Sequence, residues 1–387
     1  MRREQGFSLL EMLVAMTVML GVTAGVFSLM NPAQGTFAAQ PEVSDMQQRL
    51  RVGADTLSKD LVMAGNGAYQ GALSGSLLYA FTPVMPFRQG TLNDDPPGTF
   101  KDDRITLMYV PPTFAQTSLA WRGPSLNSVE IGVNPEPGCP AGDQLCGFKE
   151  GMTVMMYDDS GNFDIFTITN VQTPALHLQH NNDNLTYTDY AANSTKIVQA
   201  NFFEYSLNTA TNQLMFYDGS GAPDVPVVDN VVGLKFEYYG DPQPPTIKGG
   251  AGIATNPWQT TYGPSPKTPG VNGFADNENC VFASGPTPTP KLPVLGAANG
   301  TLVQLTAAQL TDGPWCPSAA NVNRFDADLL RIRKIVVTLR VQSASAALRG
   351  PASALFSHAG TSRNASKWVP DQEIKFSVSP RNLNLGR

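Results

Sequence analysis

The chain has 387 residues, which on a prior of about 150 residues per domain allows two or three domains, or one domain with large insertions. Only 15% of residues are charged, whereas glycine (35) and proline (31) are plentiful, a balance that favours a loop- and strand-rich body over a helical one. The net charge of -6 gives no basic footprint, so nucleic acid is not expected as a partner.

The N-terminus reads Met1-Arg2-Arg3-Glu4-Gln5-Gly6-Phe7-Ser8-Leu9-Leu10-Glu11-Met12. From Phe7 to Met30 the only ionisable side chain is Glu11, and at 1.5 Å per residue a helix of this length spans a ~30 Å hydrocarbon core. A carboxylate in such a segment costs roughly 2.5 to 3.5 kcal/mol, so a partner and a role are expected for it. A secretory signal peptide does not fit: the apolar run is too long, it carries a carboxylate, and no Ala-x-Ala site precedes Pro32. An ordinary single-pass anchor with Arg2 and Arg3 in the cytoplasm accounts for everything except Gly6 and Glu11.

A short charged leader ending at Gly6, followed by Phe7-Ser8-Leu9-Leu10-Glu11, resembles the type IV prepilin motif. The resemblance implies cleavage after Gly6 by prepilin peptidase, methylation of the new amine on Phe7, and retention of the helix as the assembly element. A cationic amine at Phe7 would give Glu11 an opposite charge, replacing an orphan by a pair. Glu11 would then set register between neighbouring subunits. Gly21 and Gly25 form a small-xxx-small pair that either permits close helix packing or only loosens the helix.

Past an expected break at Asn31-Pro32 and Gly35, apolar residues at Val43, Met46, Leu50, Ala54, Leu57, Leu61 and Ala64 recur in steps of three and four. That stripe predicts an amphipathic stem helix, stopped at Gly65-Asn66-Gly67. Strands are predicted at 105–110, 152–157, 163–169, 202–207, 213–217, 231–239, 330–341 and 373–378, with turns at 158–162 and 208–212 closing two hairpins. Residues 241–300 are rich in Pro, Gly, Thr and Asn with little periodicity and read as a long insertion.

Four cysteines, Cys139, Cys146, Cys280 and Cys316, lie beyond the membrane segment, on the side that permits disulfides. The short turn-rich loop between Cys139 and Cys146 favours pairing of these two and of Cys280 with Cys316, among three connectivities. Zinc is disfavoured by the spacings. His177 and His180 fall at i and i+3, on opposite sides of a strand. Asp158, Ser160, Asn162 and Asp164 alternate like a calcium loop but place glycine at 161 and no glutamate at the twelfth position, so a turn is the better reading. No catalytic motif is present in the sequence, and neither a metal nor a cofactor is expected. Asn184, Asn193, Asn299 and Asn364 begin N-x-S/T sequons, which mark exposed stretches.

The order of elements resembles PilW-type minor pilins, through Leu57-Ser58-Lys59-Asp60-Leu61-Val62-Met63-Ala64-Gly65, Asp103-Arg104-Ile105-Thr106-Leu107, the tyrosine-bearing hairpin, and the two late strands before Arg381-Asn382. The resemblance implies an α+β pilin fold: a leader (1–6), a transmembrane and assembly helix (7–30), a stem helix (31–66), and a β-rich body (67–387) with antiparallel sheet and long loops. It implies a structural, non-catalytic subunit of a type IV pilus initiation or tip complex. Such a subunit is held in the inner membrane with its body outside the cytoplasm and partnered by other minor and major pilins. Two alternatives stand beside it: a type II secretion pseudopilin of the GspJ kind, and a membrane-anchored adhesive module that uses 241–300.

Overall fold

The computed structural model describes residues 8–67, 81–89, 95–111, 113, 115–122, 130–136, 138–158, 162–181, 185, 190–220, 222–244, 278–283, 289–298, 300–363 and 367–384. Helix α1 (Leu9–Met63) leads into strands β1 (Val84–Met85), β2 (Arg104–Tyr109), β3 (Gln116–Arg122), β4 (Glu130–Val133), β5 (Thr153–Tyr157), β6 (Phe163–Gln172), β7 (His177–His180) and β8 (Lys196–Gln199). Strands β9 (Asn201–Asn208), β10 (Gln213–Tyr217), β11 (Val225–Asp229), β12 (Val231–Gly240), β13 (Phe282–Ala283) and β14 (Thr289–Pro290) follow. The chain closes through β15 (Val303–Leu305), β16 (Trp315–Cys316), β17 (Phe325–Asp326), β18 (Ile332–Val341) and β19 (Gln372–Val378). An apolar N-terminal helix joined to an antiparallel β-rich body is the α+β architecture expected from the sequence.

The expected break at Asn31-Pro32 and Gly35 is absent, because α1 runs unbroken from Leu9 to Met63. An interior proline costs a helix about 3 kcal/mol and a glycine about 1 kcal/mol. The ladder on either side carries the helix through, so the predicted membrane and stem segments belong to one continuous helix. It ends where expected: Gly65 turns left-handed (φ +74°) and its N–H donates to Met108 O at 2.9 Å.

Two compact units divide the chain. The first comprises Met1–Arg51 with Arg340–Glu373. In it, Asp371 ties Ser357 to β18: its Oδ2 accepts from Arg340 Nε (3.1 Å), Ser357 N (2.7 Å) and Ser357 Oγ (2.8 Å). Glu42 on the helix accepts from Ala344 N.

The second unit comprises Val52–Leu339 with Ile374–Arg387. Here the buried helix face is Gly53, Leu57, Leu61 and Ala64, so the predicted stripe passes through Gly53 rather than Ala54. A Cβ on Gly53 would stand 2.6 Å from Leu339 Cδ2 in β18 and 3.4 Å from Val228 Cγ2 in β11. Glycine is what lets the helix approach both of its sheets, one ordered β1-β2-β9-β10-β11 and the other β15-β12-β18-β19. Tyr205 in β9 donates from its hydroxyl to the Asp60 carboxylate on the helix. Arg88 locks the 81–89 segment to the first sheet: its Nη1 and Nη2 reach Asp224 at 2.8 Å each and its Nε reaches Glu204 at 2.7 Å.

The body holds an element the sequence did not announce. Between β2 and β9, which are neighbours in one sheet, the chain leaves and closes a separate antiparallel barrel, β3-β4-β7-β6-β5-β8. Ile131, Val154, Phe166, Leu178 and Ile197 fill its own core. The predicted 152–157/163–169 hairpin is part of this barrel, as β5 paired with β6. Of the predicted insertion at 241–300, residues 245–277, 284–288 and 299 lie outside the described residues, and β13 pairs with β14 within the remainder.

Candidate functional site

The first turn of α1 is capped by its own side chains. Glu11 Oε2 accepts from Ser8 N at 2.9 Å, while Ser8 Oγ accepts from Leu10 N at 3.3 Å. This is the reciprocal logic of a capping box, in which a Ser at the N-cap and a Glu three residues on satisfy otherwise orphaned donors. The carboxylate also lies at the positive end of the helix dipole. The buried cost assigned to Glu11 from sequence is thus partly offset within one subunit. Gly6 and Phe7 lie outside the described residues.

Beyond this turn, Leu9–Met30 is a 22-residue segment of mean hydropathy 2.1, long and apolar enough to cross a membrane at about 33 Å. Its side chains are uncovered throughout, with Leu9 81% and Leu29 77% exposed. Both of its threonine hydroxyls are satisfied internally: Thr17 Oγ1 donates to Val14 O at 2.8 Å and Thr23 Oγ1 to Met19 O at 2.7 Å. The helix therefore presents an apolar surface with one carboxylate at its start. The faces of Gly21 and Gly25 are open, with nothing within 4 Å of a built Cβ.

Residues 1–27 match the family model described as the prokaryotic N-terminal methylation motif. The match supports a type IV pilin-like protein. It implies processing by prepilin peptidase and assembly with other pilins, in a pilus or a secretion system, and it is consistent with a membrane-anchored subunit of structural rather than enzymatic character. No curated protein and no solved structure matches the chain.

The four cysteines form Cys139–Cys146, with Cα atoms 5.7 Å apart, and Cys280–Cys316, with Cα atoms 5.1 Å apart. Glu136 braces the first of these loops through Gly147 N at 2.9 Å; burial pushes its carboxyl up and that hydrogen bond opposes the rise. His177 and His180 share β7, whose side chains alternate between the barrel core and its surface, and His180 is buried while His177 faces outward. At the 158–162 turn, Asp158 Oδ1 and Oδ2 accept from Asn162 N and Nδ2 at 3.0 Å each; Ser160 and Gly161 lie outside the described residues, as do the sequon residues Asn184, Asn299 and Asn364. Asn193 is exposed.

One charged cluster went unread in the sequence because its members look unremarkable singly. Asp312, Asp326 and Asp328 bring carboxylate oxygens within 4.8 Å of one another, beside Arg331, whose Nε lies 2.6 Å from Asp328 Oδ1. Asp326 accepts from Gly313 N at 2.7 Å and Asp328 N at 2.8 Å. Burial pushes Asp326 up to about 6, against those hydrogen bonds. Burial likewise pushes Asp328 up to about 7, with Arg331 opposing and the two neighbouring carboxylates adding to the rise. The arrangement reads as a structural brace of a tight segment, since the buried oxygens already face backbone donors and a guanidinium.

Proposed function

We propose that this chain is a minor pilin of the PilW kind: a non-catalytic subunit, cleaved after Gly6 and methylated on Phe7, that enters a type IV pilus initiation or tip complex through α1. The observation that carries this reading is the single carboxylate held at the first turn of an uncovered apolar helix by the N–H of Ser8, the residue that follows Phe7 in the sequence. Once that amine exists, a neighbouring subunit's Phe7 can replace the Ser8 N–H as the partner of Glu11. The exchange of a neutral donor for a cation strengthens the contact in an apolar surrounding. Before assembly the same helix holds the subunit in the inner membrane with the body outside the cytoplasm, a side on which its two disulfides persist.

The test is processing followed by co-purification. Gly6→Ala should leave an unprocessed membrane protein, and a mature-size band from that variant would overturn the prepilin assignment. The processed wild type should co-purify with pilus subunits; recovery with secretion-system subunits instead would reassign it as a pseudopilin.

A further inference from the structure

The outer face of the barrel carries an aromatic and polar platform that assembly through α1 does not use. Ala115 just before β3, and Thr117 and Leu119 within it, alternate inward, but the register shifts between Leu119 and Trp121, and Trp121 turns outward, 42% exposed. Bulges recur where a side chain is re-aimed at a functional surface. Opposite Trp121 on β4 stands Gly132, where any Cβ would overlap the indole. The ring therefore lies over bare backbone, in a slot that only glycine leaves open.

Pairing extends this row across the barrel. Gly132 faces His177 in β7, and His177 faces Gln172 in β6; the imidazole meets the indole edge-on, with ring centres 5.0 Å apart. Two residues along, a second row on the same face holds Glu130, Gln179 and Asn170. Gln179 Nε2 donates to Glu130 Oε1 at 2.9 Å, and His177 Nδ1 lies 3.7 Å from Glu130 Oε2.

We propose that this face binds a neutral saccharide. A pyranose presents a flat patch of C–H groups on one side and a rim of hydroxyls around it. The face answers both: a fixed, half-uncovered indole for the C–H patch, and a carboxylate, an imidazole and three carboxamides for the hydroxyls, each able to accept or donate in pairs. The two rows contain no lysine or arginine, and the chain carries a net charge of -6, so a nucleic-acid strand, which needs a cationic groove beside its stacking ring, is a poor fit. A protein hot spot would set the tryptophan in an apolar ring that excludes water, whereas the neighbours of Trp121 are polar. This inference is independent of which filament the subunit joins.

The experiment is titration of the detergent-solubilised full-length protein with maltotetraose, cellotetraose, chitotetraose and mannotetraose, read by calorimetry. At least one should bind saturably below about 10 mM. Trp121→Ala should weaken that binding at least tenfold, Glu130→Gln should weaken it several-fold, and Trp315→Phe, distant in sequence and outside the barrel, should leave it unchanged. Thermal melts of each variant check that it is folded, and Gln179→Ala supplies a milder second probe of the same face. Saturation by none of the four sugars, or wild-type affinity in Trp121→Ala, overturns the proposal. So does loss of a co-purifying pilin from Trp121→Ala without any sugar binding, which would make this face a subunit contact.

Discussion

The Glu11 carboxylate accepts a hydrogen bond from the backbone N–H of Ser8 at 2.9 Å, so the charge that looks orphaned in the sequence closes the first turn of its own helix. The observed cap and the proposed assembly contact therefore fall on one side chain, and they separate by chemistry. Glu11→Gln keeps an oxygen to accept from Ser8 N but removes the charge, whereas Glu11→Val removes both. Both variants should insert in the membrane. Amide exchange at the first turn should stay near wild type in Glu11→Gln and accelerate in Glu11→Val, reflecting a cap contribution of about 1 kcal/mol. Piliation should fail in both. Normal piliation of Glu11→Gln would show that the charge is not the assembly determinant.

At Gly53 the helix lies close against both sheets. Gly53→Ala gains helix propensity of about 1 kcal/mol but drives its methyl into buried Leu339, an overpacking of about 1 to 3 kcal/mol. The expected net effect is destabilisation, and Gly53→Leu should be worse. Urea unfolding midpoints of the two variants measure it, and a stabilised Gly53→Ala would mean the helix stands further from Leu339 than described.

Arg88 holds Glu204 and Asp224 together, and its own ionisation is raised because those carboxylates outweigh the burial that opposes it. Arg88→Ala leaves Glu204 buried without its cation, a loss of about 3 to 5 kcal/mol. Denaturant unfolding should report a fall of that order, and the Arg88→Ala/Glu204→Gln double variant should recover part of it.

Stability should also depend on pH through Asp326 and Asp328. Both carboxyls are raised in the folded chain, to about 6 and about 7, from an ordinary value of 3.8. Between about pH 4 and 7 the folded protein therefore binds more protons than the unfolded one. Their contribution is most favourable below that window and is lost as pH rises through it. Thermal midpoints should fall from pH 5 to pH 8, and Asp312→Asn, which removes a nearby like charge, should flatten that fall. A wild-type midpoint that does not fall over this range, or an equal fall in Asp312→Asn, would contradict the assignment.

The sequence carried the helix, its apolar stripe and the long strands β2, β5, β6, β9, β10, β12, β18 and β19, because each has six or so residues of clear periodicity or a turn signal at its end. It did not carry the barrel. Strands β4, β7 and β8 have four residues each, too few to show a period, and β3 hides its alternation behind Thr117 and the bulge before Trp121. Closure of a barrel is a long-range pairing that no local window contains. The same limit hid the cap: Ser8 and Glu11 were visible as motif residues, but their hydrogen bond is a fact of geometry. Continuity through Pro32 is not legible locally either, because the helical ladder on both sides of the breaker decides it.

The N-terminal peptide of the mature protein, isolated from membranes and sequenced by mass spectrometry, decides whether the chain is processed as a prepilin. It should begin at Phe7 and carry a methyl group on its α-amine. A peptide that retains Met1–Gly6, or one that begins beyond Met30, would contradict it.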